Sequence, residues 1–260
     1  MPFATNDDVS LYYESVGDGA DTVVFVGDVG FGSWQWGWQH RAVVGPFESV
    51  VFDHRGVGRS DTPPGPYSVD DLTGDLSAVL ADAGVSRAHL VGAGLGGVVS
   101  LALAHDSGRV RSLTLVGTGF AGDPMDAFAA PDDEAALRAS TGRLLSDAFR
   151  TEQTEVVDQV VGWRSQGDAP ERVWRAQTAA LKGYEPPPLY EVTTPTLVVH
   201  GEADLQWPVA DARDLAEGLP RGAYVGYPDA AHLVGVERSR PVNDRLVGQV
   251  ESHSGSRSTT

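Results

Sequence analysis

The sequence predicts an α/β fold: a mostly parallel central sheet with helices on both faces and a helical insertion. Three observations predict it. Strand-like and helix-like segments alternate from Leu11 to Val116 and again from Thr196 to Val250, the order that a parallel sheet with crossover helices requires. The segment Val23, Val24, Phe25 and Val26 is continuously apolar, which suits a strand covered on both faces. Between Phe120 and Tyr190 the alternation stops and the spacing is helical only. A chain of 260 residues fits one large domain with an insertion better than two separate domains. The expected division is residues 1–119 as the first part of the core, 120–190 as the insertion, 191–251 as the second part of the core and 252–260 as a polar, disordered tail.

The elements follow in order. Leu11 to Glu14 and Thr22 to Val26 read as strands separated by the turn Gly17-Asp18-Gly19. Val50 to Asp53 is a further buried strand. Pro63-Pro64-Gly65-Pro66 is a rigid linker, after which Ser68 caps a helix and Asp71 completes a weak capping box. Val69, Leu72, Leu76, Val79 and Leu80 form the buried stripe of that helix, and Gly84 ends it. His89, Leu90 and Val91 form a strand that runs into a glycine turn and then an apolar helix reaching about His105. Val110 to Val116 is the next strand. The insertion reads as three helices, Asp133 to Phe149, Glu152 to Trp163 and Glu171 to Leu181. Thr196 to His200 restores the sheet, followed by a helix (Ala210 to Leu219), a strand (Ala223 to Tyr227) and a final helix from about Arg240 to Val250.

The turn after His89–Val91 is Gly92-Ala93-Gly94-Leu95-Gly96-Gly97. Strand, sharp turn and helix in that order resemble the nucleophile elbow G-x-S-x-G of α/β-hydrolases, with Gly94 where the serine would stand. Asp53-His54-Arg55-Gly56-Val57-Gly58-Arg59-Ser60-Asp61 looks like the same family's D-x-R-G-x-G-x-S turn, whose role there is mostly structural. His54 is then a loop residue. Gly201-Glu202-Ala203-Asp204-Leu205-Gln206-Trp207-Pro208 resembles the acid loop, and Asp229-Ala230-Ala231-His232-Leu233 the histidine loop. The resemblance runs from about Leu11 to Val250 and is close in pattern to enol-lactone hydrolases and cofactor-free haloperoxidase-like esterases. It implies a helical lid over residues 120–190, a small-molecule substrate or ligand, no cofactor, Asp204 as the acid, His232 as the histidine, and the backbone N–H groups of Val29 and Leu95 as the oxyanion region. The loop after the second strand normally begins His-Gly in the family; here it begins Gly27-Asp28.

Two departures therefore fall on the two loops that would face an acyl intermediate. Gly94 has no hydroxyl for a histidine to activate, which excludes a serine acyl-enzyme. Ser100 lies inside the following helix, and Ser33 and Ser60 lie in other loops. Asp28 brings a carboxylate to the place where an oxyanion would form, and like charge opposes it. An Asp204–His232 pair would fix the imidazole tautomer and leave its other nitrogen free as a base. Without the serine side chain, a water or substrate atom is expected between Gly94, Asp28 and His232. Asp28 then acts beside His232 as acid, base or nucleophile, or serves only as a turn residue. Three functions fit: an enzyme using His232, Asp204 and Asp28 for water addition, lyase chemistry or proton abstraction; a noncatalytic ligand-binding protein; and a weak ester or lactone hydrolase working by water activation. Trp34, Trp36 and Trp38 are expected to pack beneath the lid. The glycine run is not a dinucleotide fingerprint, because no acidic residue ends a next strand about 20 residues on.

Composition narrows the setting. Acidic residues outnumber basic ones 36 to 19, the formal charge is −17 and Lys182 is the sole lysine. Such a surface repels nucleic acid and anionic membrane. There is no cysteine, so disulfides and thiolate metal sites are out, and no metal-ligand spacing appears. No signal peptide and no membrane-spanning run are recognised, which points to a soluble cytoplasmic protein. The oligomeric state is left open.

Overall fold

The structure, a computed structural model, describes residues 2–120 and 123–255. Its strands are β1 (Phe3–Asn6), β2 (Val9–Val16), β3 (Thr22–Val26), β4 (Glu48–Phe52), β5 (Ala88–Ala93), β6 (Val110–Val116), β7 (Thr196–Gly201) and β8 (Gly222–Tyr227). They form one sheet in the order β1-β2-β4-β3-β5-β6-β7-β8. The pairs β1–β2 and β2–β4 are antiparallel, and every pair from β4–β3 to β7–β8 is parallel. The fold is thus the mostly parallel α/β arrangement expected. Sequence reading missed β1, whose four residues hold only Phe3 and Ala4 as apolar positions, too short an alternation to register.

The helices are α1 (His40–Val43), α2 (Val69–Asp82), α3 (Leu95–Asp106), α4 (Glu134–Arg143), α5 (Asp147–Glu152), α6 (Thr154–Gly167), α7 (Glu171–Lys182), α8 (Val209–Gly218), α9 (Val234–Glu237) and α10 (Ser239–His253). Strand alternation splits the core across the sheet. Val24 and Val26 of β3 face the cluster that holds Leu72 and Leu76 of α2 and Leu101 of α3. Val23 and Phe25 face the other, with Val242, Leu246 and Val250 of α10. Ser68 caps α2 through a complete capping box with Asp71, as its spacing predicts.

Several boundaries differ from expectation; α6, for one, begins at Thr154 and runs on to Gly167, past the end predicted at Trp163. The helix read over Asp133 to Phe149 is two helices, because Ser146 turns to an extended backbone and its hydroxyl caps α5 at Phe149 N–H. The final helix α10 runs on to His253, two residues into the stretch read as tail. Residues 256–260 of that stretch lie outside the described residues. Among the described residues no helix is long and apolar enough to cross a membrane.

Candidate active site

The sheet brings four loops to one end. Asp28 follows β3, Gly94 follows β5, Asp204 follows β7 and His232 follows β8, all at the carboxyl ends of parallel strands, where the crevice of an open α/β sheet lies. Gly94 links β5 to α3 with φ +45° and ψ −114°, a backbone that side chains with a Cβ rarely adopt. The turn is also tight. A Cβ at Gly96 would fall 2.1 Å from the Val26 carbonyl oxygen, so the glycine lets α3 start directly against the end of β3.

Asp28 fills the place of the absent elbow side chain. A Cβ built on Gly94 would lie 1.9 Å from Asp28 Oδ1 and 2.3 Å from Oδ2. Oδ1 accepts hydrogen bonds from the backbone N–H groups of Val29 (2.7 Å) and Leu95 (2.9 Å), the two donors expected to serve an oxyanion. Oδ2 lies 2.9 Å from His232 Nε2. The expected gap for a water or substrate atom is therefore closed by Asp28 itself. Residue 94 must lack a side chain for that carboxylate to fit.

His232 sits between two carboxylates. Its Nδ1 is 2.9 Å from Asp204 Oδ2 and its Nε2 2.9 Å from Asp28 Oδ2. Asp204 Oδ1 accepts from the backbone N–H groups of Gln206 (2.7 Å) and Trp207 (3.2 Å). His232 is 5% exposed and Asp28 3%. Burial disfavours the imidazolium, but the charges of Asp204 and Asp28 and the hydrogen bonds to them outweigh it and push the His232 pKa up to about 10. A ring with a carboxylate on each nitrogen favours the doubly protonated form, in which both N–H groups donate. The second nitrogen, expected to be free, instead faces the Asp28 carboxylate.

Two further residues shape the site without a sequence signal. His200, on β7, is fully buried, and its Nε2 lies 3.0 Å from the Trp207 carbonyl oxygen and 3.6 Å from Asp204 Oδ2. Burial lowers its pKa, so it stays neutral behind the acid loop. Gln177 of α7 accepts from Gly30 N–H (2.8 Å) and donates to the Arg55 carbonyl (3.2 Å), tying the insertion to the β3 loop. Trp174 of α7 lies against Gly30, where any Cβ would overlap its indole. Phe31, Ala127, Trp174, Trp207, Asp28 and His232 surround a space that holds no water-sized void.

The other candidates lie elsewhere. Ser100 donates to the Gly96 carbonyl within α3, and Ser60 to the Asp53 carbonyl. His54 Nε2 meets the Gly27 carbonyl oxygen at 3.0 Å from the far side of the loop. Trp34 donates to Asp168 (2.8 Å), Trp36 rests on Phe25 in the core and Trp38 on Trp163 of α6. Among the described residues no group of His, Asp and Glu has the arrangement to hold a metal ion.

A family model described as alpha/beta hydrolase fold matches residues 42–141. A putative carbamate hydrolase, RutD, of Azorhizobium caulinodans is 38% identical over 117 residues, which is 45% of this chain and 44% of that protein. The chain thus aligns with less than half of that relative's length. Rhodomycin D methylesterase of Streptomyces peucetius is 29% identical over 92% of this chain and 94% of its own. The crystal structure of the enol-lactonase from Burkholderia xenovorans superposes with a TM-score of 0.86 at 24% identity, covering 96% of this chain and all of that one.

Proposed function

Because the chain belongs to the α/β-hydrolase superfamily yet has glycine at the elbow, we propose that it acts on a small organic molecule by proton transfer, not through a serine acyl-enzyme. The observation that carries this is Asp28, with one oxygen on the Val29 and Leu95 N–H groups and the other on His232. In this reading Asp28 takes a proton and the His232 imidazolium gives one, while Asp204 holds the ring in place. The reactions that suit such a pair are water addition, elimination or a proton shift beside a carbonyl. A tetrahedral oxyanion would find its two donors already taken, which disfavours acyl transfer and the weak-hydrolase alternative. Relatives named for a carbamate and for a methyl ester support a carbonyl-bearing substrate. Buried polar atoms without partners at the site, Trp174 Nε1, Gln206 Oε1 and Trp207 Nε1, support one that carries hydrogen-bonding groups, since such atoms are costly to leave unpaired.

We take residues 120–190 as a lid on a core of 1–119 and 191–251, working in the cytoplasm. Entry of a substrate then requires α7, with Trp174 and Gln177, to lift from the β3 loop. A second reading, a noncatalytic ligand-binding protein, is favoured by one observation, the lack of a water-sized void beside His232.

The test is a turnover screen of carbonyl metabolites with the wild type, His232→Ala and Asp28→Asn. We expect turnover in the wild type and a loss of at least about a hundredfold in each variant, the scale of a lost acid or base. Ligands that bind all three proteins with no turnover in any would establish the second reading. Turnover that survives both substitutions, or a fluorophosphonate adduct on the wild type, would overturn the first.

A further inference from the structure

The opposite end of the sheet carries a cleft of about 560 Å³, within the range of small-molecule sites. It is lined by Arg87, Arg111, Arg221, His105, His253 and Glu191, among others. Arg87 and Arg221 immediately precede β5 and β8 and Arg111 is the second residue of β6, so all three lie at the amino ends of the strands. In a chain with 36 acidic and 19 basic side chains, an arginine has many carboxylates to choose from. Arg55, Arg138, Arg164, Arg175 and Arg213 all pair with one. The guanidinium groups of Arg87 and Arg221 have no hydrogen-bond or ion-pair partner among the described residues. Arg111 is less exposed. Its Nε is buried and lies 3.4 Å from Asp21 Oδ1 without the alignment of a hydrogen bond.

Helix termini explain the histidines but not the arginines. His105 and His253 lie in the last turns of α3 and α10, where a cation offsets the partial negative charge of the helix end. His105 is also engaged by Asp106 and Glu191, which accounts for the lining carboxylate. The two helix ends contribute roughly half a negative charge each, and Asp21 offsets Arg111. Arg87 and Arg221 thus bring to the cleft two guanidinium groups that no carboxylate of the described residues engages, on a molecule whose net charge is −17.

We propose that this cleft is a binding site for a small polyanion bearing phosphoryl groups. Guanidinium groups present planar, paired donors that match phosphoryl oxygens, and three arginines on one concave wall give an anion a local attraction that the acidic surface elsewhere lacks. A nucleic acid is too extended for it, because it would run from the cleft onto an acidic surface. The site lies across the sheet from Asp28 and His232, so it is separate from the function proposed above.

The experiment is calorimetric titration of the full chain with pyrophosphate, and in separate arms with inorganic phosphate and with citrate, at low chloride. We expect saturable binding of pyrophosphate, stronger than that of phosphate and of citrate, and weakened by added salt. Arg87→Gln and Arg221→Gln should each weaken pyrophosphate binding about tenfold, the scale of one charged hydrogen bond. Both side chains are exposed and unpartnered, so the fold should stand, and an unchanged melting temperature would show it. Asp28→Asn should leave the binding unchanged. Absence of saturable pyrophosphate binding, or binding that survives the double substitution, would overturn the proposal. Tighter binding of citrate than of pyrophosphate would refute the phosphoryl assignment.

Discussion

At the residue scale, Gly94 and Asp28 form one unit. The volume left by the missing side chain of Gly94 is occupied by the Asp28 carboxylate. Gly94→Ser should therefore destabilise the fold by about 3 kcal/mol or more, from overpacking, displacement of a charged side chain held by three hydrogen bonds and a positive φ. In an Asp28→Gly background the same serine should cost much less, and a double-mutant cycle in urea measures the difference. Fluorophosphonate labelling should appear only in the double variant, where the oxyanion donors are free.

His232 gives a pH prediction. Its pKa rises from 6.5 in the unfolded chain to about 10 in the fold, so the fold binds its proton more tightly. That contribution is fully present below about pH 6.5 and is lost as pH rises toward 10. Melting temperature should fall across this window, and Asp28→Asn should flatten the fall. A wild-type melting temperature that held constant from pH 6.5 to 10 would contradict the triad charge assignment. Asp28 was visible in the sequence as a misplaced carboxylate, because it interrupts a recognisable loop. Its grip on His232, 204 positions away, was not, because no local pattern encodes which two loops converge.

At the element scale, the helical insertion is held by a buried cation. Arg164 of α6 is fully buried and donates to Asp168 (2.7 Å), Ser140 (2.8 Å), Thr141 (3.0 Å) and the Ala127 carbonyl (2.9 Å). Asp168 also accepts from Trp34, which joins the network to the β3 loop. Arg164→Met strands a buried carboxylate and should cost about 3–5 kcal/mol. The loss should be local. Hydrogen exchange should speed up in α4 and α6 while β3, β5 and β6 keep their protection. Helix α6 was legible because Val157, Val160 and Val161 form an apolar stripe. The break between α4 and α5 was not, since Leu144, Leu145 and Phe149 continue the helical spacing through it and only the Ser146 cap marks it.

At the scale of the whole molecule, charge dominates. A net charge of −17 with one lysine produces self-repulsion that salt screens, with a Debye length of about 10 Å at 0.1 M and about 3 Å at 1 M. Raising sodium chloride from 0.05 M to 1 M should raise the melting temperature by several degrees, a shift that calorimetry reads directly. The same salt should weaken anion binding at the arginine cleft, so stability and binding should move in opposite directions.

The sequence by itself determined the α/β fold, the order of the loops and the lack of a hydroxyl at residue 94. These depend on period, on glycine-bearing turns and on the chemistry of one missing hydroxyl, all of which are local. The tertiary structure decided what fills the space beside Gly94. The parallel register brings the carboxyl ends of β3, β5, β7 and β8 to one end of the sheet, with β6 between β5 and β7, and only there does the Asp28 carboxylate reach both the Leu95 N–H and His232. Tertiary packing also decided that the site is closed and that three arginines at the amino ends of β5, β6 and β8 share one cleft. Contacts between residues far apart in the chain exist only once the sheet has formed.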